Sequence, residues 1–380
     1  MNNPLLSFGR GLPDYAAIQA SHIKPAITEL LTKAQKAVDI SVDPSTPNTW
    51  ADLVEPLENA TEELGRSWGV IGHLNSVADT PELREAYGEM LPEVTAFWSS
   101  LGQNLDLYKK YKALSQSAEF QQLSQAQRKV IENSLRDFRL GGAELPDDQK
   151  PRFSAIQDEQ ALLSKAFSDH VLDATDTFVH QITNEQDLAG LPEDALAAAK
   201  QTAESKKLDG WAFTLHFPSY FPVMQFCDNR SLRKQLYQAY ITRASELGAE
   251  YGNGKSEWDN TQNMLLQLRL KDEEAKMLGF ANYAALSLAP KMAKTVAEVD
   301  QFLEDFAKRA KSHGQKDWDD LQQFAKEHLK LDKLEPWDMA YASEKLKQAR
   351  YSFSENELKQ YFPLPKVLDG LFSIIQTLFG

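Results

Sequence analysis

From Pro25 onward, apolar residues recur three and four positions apart. Ile27, Leu30, Leu31, Ala34 and Val38 share one face of a helix whose first turn suits the proline. A polar turn region at residues 44–47 interrupts the pattern. It resumes with Leu53, Leu57, Ala60, Leu64, Ile71 and Leu74, which predict a second helix or helix pair with a break near the glycines at 69 and 72. Thr80-Pro81 combines an N-cap with a first-turn proline, and Leu83, Tyr87, Leu91, Val94, Trp98, Leu101, Leu105 and Tyr108 continue as the stripe of a third long helix. Ser124-x-x-Gln127 is a capping box, and the helix it opens should end at Gly141-Gly142, where glycine tolerates the left-handed conformation. The polar stretch Leu145-Pro-Asp-Asp-Gln-Lys-Pro then leads into Phe153, Ile156, Leu163, Phe167, Val171, Ala174 and Phe178 at helical spacing. A new helical layer is expected from about residue 150.

The period changes at Trp211, Phe213, Leu215 and Phe217, which alternate with smaller or polar residues and predict a strand. Pro218 and Pro222 bracket an extended stretch, Val223-Met-Gln-Phe-Cys227 is read as a short second strand, and Asp228 as the cap of the next helix. Boxes at Thr295-x-x-Glu298 and Ser354-x-x-Glu357 mark two later helix starts. No fixed-period repeat or low-complexity tract occurs. From Pro365, the residues Val367, Leu368, Leu371, Phe372, Ile374, Ile375, Leu378 and Phe379 cover nearly every side of a last helix, and a helix apolar all round needs neighbours all round. The expectation is a chain incomplete at its C-terminus and prone to self-association through this helix.

Composition narrows the class. The 380 residues predict two or three structural units, and 42% hydrophobic with 25% charged residues lies in the globular range. With 41 basic against 55 acidic residues the net charge is −14, and no run of Lys and Arg interleaved with aromatics is present, which argues against nucleic acid. The start has no basic region followed by an apolar stretch, and no apolar run approaches the roughly 20 residues that span a bilayer. Cys227 is the single cysteine, so no intrachain disulfide can form and a reducing compartment is expected. These features predict a soluble cytoplasmic protein with no membrane or nucleic-acid partner.

Candidate chemistry within the chain is sparse. Zinc peptidases place two histidines one helical turn apart, as in His-Glu-x-x-His, but none of His22, His73, His170, His180, His216, His313 and His328 is four residues from another. Gly252-Asn-Gly-Lys255-Ser256 has only the tail of a phosphate-cradling loop, with Ala249 where glycine is required. There is no Gly-x-Ser-x-Gly elbow, and nothing in the sequence activates Cys227. The acidic clusters around residues 271–274 and 317–320 lack the spacing of a calcium loop and read as solvated helix faces. Tyr237, Tyr240 and Arg243, spaced three apart, put aromatics and a cation on one helix face; this face could line a peptide channel or pack against the small β element.

Several segments, in order, resemble the thimet oligopeptidase family of zinc peptidases: Asn3-Pro-Leu-Leu6, His73-Leu-Asn-Ser-Val77, Pro81-Glu-Leu-Arg-Glu-Ala-Tyr87, Val171-Leu-Asp-Ala-Thr175, the stretch from Pro218 to Met224, Leu278-Gly-Phe-x-Asn-Tyr283, Pro336-Trp-Asp338 with Tyr341, and Tyr361-Phe-Pro363 leading to Gly370-Leu-Phe372. The resemblance runs from end to end. It implies a mostly α, multi-helix, clam-like two-lobed peptidase with a small β element near residues 211–227. Residues 1–145 would start the first lobe, 146–333 would form the second, and 334–380 would return to the first. It implies a zinc site beyond Gly380, so that no catalytic residue or metal ligand lies in this chain, and short or unfolded peptides as substrates of the parent. Trp337, Asp338 and Tyr341 join Tyr237, Tyr240 and Arg243 as candidate channel-lining residues. Two positions depart from the family: Ala342 follows Tyr341 where a second tyrosine is usual, and Pro290 stands where threonine is expected and should bias Ala289 away from helical geometry. The alternative expectation is a natural non-catalytic helical protein of the same descent that binds peptides or a partner.

Overall fold

The structure, a computed structural model, describes residues 3–9, 11–352 and 355–380. It is built from helices with one two-stranded sheet among the described residues, and it divides into two compact units: Met1–Phe167 with Gln262–Asp300, and Ser168–Thr261 with Gln301–Gly380.

The first unit gathers its core from the successive amphipathic stripes. Ile23, Ile27 and Leu30 of the Ala20–Val42 helix meet Leu57, Leu64 and Ile71 of Glu55–Val77, Met90 and Val94 of Pro81–Gly102, and Leu107 and Tyr111 of Leu105–Ser115. Each such aliphatic side chain contributes about 1.5–3 kcal/mol on burial. Thr80 caps as expected, accepting from the Leu83 amide, and the Ser124–Gln127 box is closed in both directions at the start of Gln125–Leu140. That helix stops where the glycines predicted: the Ala143 amide reaches back to the Phe138 carbonyl at 2.9 Å, and Gly142 takes φ +89°.

In this unit four local expectations fail for identifiable reasons. The helix expected from Pro25 begins at Ala20, because proline this close to the start forfeits only one backbone bond; a short Pro4–Ser7 helix precedes it. No break occurs at Gly69 or Gly72, since Leu64, Val70 and Ile71 anchor the helix on both sides; the irregular turn lies earlier, as a π-helical turn over Trp50–Val54. The third long helix is two helices, because Asn104 accepts from the Leu107 amide and restarts the chain after Gly102. Ala289 is helical despite preceding Pro290, at φ −51° and ψ −41°, as the closing residue of the short Tyr283–Leu288 helix.

In the second unit, Trp211–Phe213 forms a strand as expected, but it ends there. Its antiparallel partner is His180–Ile182, in the register His180 with Phe213 and Ile182 with Trp211. The second strand read at residues 223–227 is instead part of the Phe217–Phe226 helix: Pro218 sits in the first turn, where it is tolerated, and Tyr220, Val223, Met224 and Cys227 bury together at helical spacing. Asn229, one residue after the expected Asp228, caps Arg230–Ile241 by accepting from the Ser231 and Leu232 amides. Phe213, Leu215, Val223, Leu232 and Leu236 form this unit's main core.

Thr295 accepts from the Glu298 amide at the start of the Val296–His328 helix, while the Glu298 carboxylate takes the Lys294 amide, one position outside a standard box. The box expected at Ser354 falls outside the described residues. The Leu364–Phe379 helix is present, with Leu364, Phe372, Ile374, Leu378 and Phe379 among its exposed side chains.

Candidate functional site

The aromatic and charged residues singled out above lie in the second unit, on the Arg230–Ile241 helix, on the Pro336–Asp338 turn that packs against it, and on Met339–Tyr351, except that Arg243, expected on the first of these helices, falls in the turn after its C-cap Thr242. Asp338 is the centre. Its side chain is fully buried and accepts from four groups: Arg230 Nε at 3.0 Å and Nη2 at 2.6 Å, Arg233 Nη2 at 2.8 Å, and the Glu335 amide at 3.1 Å. Burial alone would raise the Asp338 carboxyl, but the Arg230 and Arg233 guanidiniums outweigh it and hold it below the usual carboxylate range.

Arg233, only 1% exposed, spends its remaining donors on backbone carbonyls: Cys227 at 2.6 Å, Trp337 at 3.2 Å and Asp228 at 3.3 Å. The guanidinium ties the start of one helix to the turn that precedes another, with its charge and donors satisfied. A buried cation survives only on such terms.

Aromatic rings cover this knot. The Tyr341 ring centroid lies 4.1 Å from the Arg233 guanidinium carbon, and the Tyr341 hydroxyl donates to Asp228 Oδ1 at 2.8 Å. Burial, then that hydrogen bond, pushes the Tyr341 phenol up to about 12. Trp337 meets Tyr237 edge to face at 6.1 Å and carries the Lys234 ammonium 5.3 Å from its ring.

One turn further along the helix, Tyr240 belongs to a second cluster. It stacks on Tyr220 at 4.1 Å between centroids, and the Arg243 guanidinium lies 3.8 Å from its ring while donating to Thr175 Oγ1 at 2.9 Å. The six candidates therefore fall into two neighbouring groups, with Tyr237, Trp337, Asp338 and Tyr341 in one and Tyr240 and Arg243 in the other. Beside the first, an open cavity of about 640 Å³ is lined by Arg230, Lys234, Lys330 and Lys333 against Asp332 and Glu335.

No group of three or more His, Cys, Asp and Glu side chains able to hold a metal occurs among the described residues. His170 Nδ1 lies 2.9 Å from Asn260 Oδ1, and His216 Nε2 lies 3.0 Å from Asp176 Oδ1. These partners suit hydrogen-bonded histidines and do not fit a zinc site, which needs three or four ligands converging on one point.

Residues 27–150 match the neurolysin/thimet oligopeptidase N-terminal domain, and residues 223–380 match peptidase family M3. Over 380 residues the chain is 43% identical to oligopeptidase A of Escherichia coli (strain K12), covering all of this chain and 55% of that protein. The chain resembles peptidase family M3. It is 38% identical to the probable cytosolic oligopeptidase A of Arabidopsis thaliana over 388 residues, covering 100% of this chain and 54% of that protein. It is 25% identical to the dipeptidyl carboxypeptidase of Escherichia coli (strain K12) over 372 residues, 97% of this chain and 53% of that protein. The chain spans about half the length of the curated relatives it matches.

Within this chain, Ala342 is fully buried in a small core with Leu321, Ala325 and Leu334, so a tyrosine there would have to displace them. Two participants escaped sequence reasoning. Arg230 is the second guanidinium on Asp338, and Glu344, 3% exposed, accepts from Gln225 Nε2 at 3.2 Å and Gln348 Nε2 at 2.9 Å. Gln348 follows Glu344 at helical spacing and is legible locally, whereas Arg230 and Gln225 lie more than a hundred positions from their acidic partners. No helix among the described residues is long and apolar enough to cross a membrane.

Proposed function

We propose that this chain is the amino-terminal portion of a cytoplasmic, zinc-dependent oligopeptidase that hydrolyses internal bonds of short or unfolded peptides in a deep channel. The observation that carries the reading is the match along the whole chain to proteins named oligopeptidase A. The zinc, its ligands and the general base belong to the part of the parent outside these 380 residues, and the chain by itself is inactive.

On this reading the residues of the second unit handle peptide and do no chemistry. Tyr237, Tyr240, Trp337 and Tyr341 offer half-buried aromatic faces, Arg243 offers a cation, and Asp338 holds the turn and helix that carry them. The cationic wall of the neighbouring cavity, with Arg230, Lys234, Lys330 and Lys333, suits a peptide's carboxylates.

The test compares the whole protein with residues 1–380 expressed alone, measuring bound zinc and cleavage of an internally quenched peptide. The whole protein is expected to hold one zinc per chain and to lose cleavage on chelation, and residues 1–380 are expected to show neither property. Stoichiometric zinc and chelator-sensitive cleavage in the shorter chain would sink the assignment of the site; metal-independent cleavage by the whole protein would sink the mechanism.

A further inference from the structure

The first unit contains an open cavity of about 400 Å³ that is separate from every residue discussed above as a candidate site. Four helices wall it: Glu58, Thr61 and Glu62 from Glu55–Val77, Trp98 from Pro81–Gly102, Tyr111 from Leu105–Ser115, and Asp137 and Phe138 from Gln125–Leu140. The helices come this close at one point because Gly102 and Gly141 touch; a Cβ on Gly141 would lie 2.8 Å from the Gly102 Cα.

Three observations define what the cavity suits. Its carboxylates are Glu58, Glu62 and Asp137, and no Lys, Arg or His lines it. Asp137 is paired with Arg136 at 2.8 Å, whereas Glu58 and Glu62 have no ion-pair partner among the described residues. Glu58 and Glu62 are one helical turn apart, where like charges repel. Partial desolvation by the cavity wall, then the Glu62 charge, pushes the Glu58 carboxyl up, although the residue reaches the surface.

The walls are aromatic. Tyr111 and Phe138 meet edge to face at 5.4 Å, and Trp98 stands at the rim, 38% exposed. Tyr111 is 1% exposed and lines the cavity, yet its hydroxyl has no hydrogen-bond partner among the described residues. A phenol so deeply buried normally has a partner. Burial, and then the charge of Glu58, raises the Tyr111 phenol, so the unpartnered hydroxyl and the unpaired carboxylate bear on the same space.

We propose that this cavity binds an organic cation, an ammonium or guanidinium group on an apolar stem, with Glu58 and Glu62 as its counter-charge, Trp98 and Tyr111 as its aromatic faces, and the Tyr111 hydroxyl as its hydrogen-bond acceptor. A divalent metal is the poorer fit: it needs six or more oxygens in a tight shell, and no such group of ligands is present among the described residues. A delocalised or alkylated cation uses aromatic faces and the apolar surface of Leu57 and Leu101 as a metal cannot. The net charge of −14 favours the approach of any such cation. The proposal does not depend on the peptidase reading.

Two sources share this chemistry, a free amine and the basic side chain of a peptide. The experiment titrates the full chain with agmatine, with butylurea as its neutral counterpart, and with acetyl-Gly-Arg-Gly-amide, following 5-fluorotryptophan resonances by NMR. Saturable binding of agmatine near ~1 mM or tighter is expected, with a shift of the Trp98 signal and no response to butylurea. Glu58→Gln and Trp98→Ala should each weaken binding about 2- to 30-fold without moving the melting temperature by more than a few degrees. Tighter binding of the tripeptide would assign the site to a basic side chain, and tighter binding of agmatine to a free amine. Equal response to butylurea, unchanged affinity in Glu58→Gln, or no saturation about tenfold above that concentration would overturn the proposal.

Discussion

Replacing Asp338 by alanine is expected to destabilise the protein by about 3–5 kcal/mol, because Arg233 would be left almost wholly buried without its counter-ion. The loss should appear as a lower urea midpoint. A second measurement separates loss of packing from loss of charge pairing: Arg233→Met combined with Asp338→Leu removes both charges, and should recover most of the stability that Asp338→Ala gives up. If the double variant is less stable than the single one, the ion pair contributes more than the avoidance of an orphaned cation.

The same pair has a pH signature. The folded-state value of Asp338 is depressed, so its stabilisation is fully present above the ordinary carboxylate value of about 3.9 and is lost as pH falls through the folded-state value. Parent and Asp338→Ala should differ most near neutrality and converge in acid. Curves that run parallel down to acid would remove Asp338 from the account of acid unfolding.

The second large effect is expected at Gly210. It takes φ +78°, and a Cβ there would stand 2.3 Å from the Ile182 carbonyl oxygen, at the end of the two-stranded ladder. Gly210→Ala should cost about 3 kcal/mol, combining left-handed strain with a backbone clash. Gly279 supplies the internal comparison: its φ is +79°, but nothing lies within 4 Å of an added Cβ. Gly279→Ala should therefore cost only about 1 kcal/mol. The difference between the two melting temperatures measures the clash alone, and equal losses would show that strain accounts for both.

What could be read in advance was local. Thr80 and Ser124 announce helix starts because a cap needs only residues three apart, and the stripes of Ile27, Leu64 and Val94 name their own buried faces. Asn104 carried an equally local signal that the continuing apolar stripe obscured. The Phe217–Phe226 helix was misread for a physical reason: a short apolar run containing two prolines satisfies both periods, and only the packing of Tyr220, Val223 and Met224 decides between them. His180–Ile182 is too short to alternate visibly, and its partner lies some thirty positions on.

The candidate site was partly legible in the same sense. Tyr237 and Tyr240 lie on one helix and announce themselves by spacing, whereas Arg243 falls in the turn just past that helix's end at Ile241. That Asp338 would sit beneath Arg230 and Arg233 follows only from a fold that brings residues 105 or more positions apart into contact. The cavity around Tyr111 draws on four helices and has no signature in any one of them.

Cys227 lies against the Asp187 carbonyl with its sulfur 3.6 Å away, fully buried, and burial raises its thiol further from the reactive thiolate. Its own carbonyl receives a 2.6 Å bond from Arg233. As the chain's single cysteine, it is a built-in clock for the opening of this region. A small aromatic disulfide should react with the native protein only as fast as the segment breathes, and the labelling rate converts directly into an opening free energy. In Asp338→Ala the clock should run faster before global unfolding begins, because the guanidinium that pins the cysteine's backbone has lost its anchor.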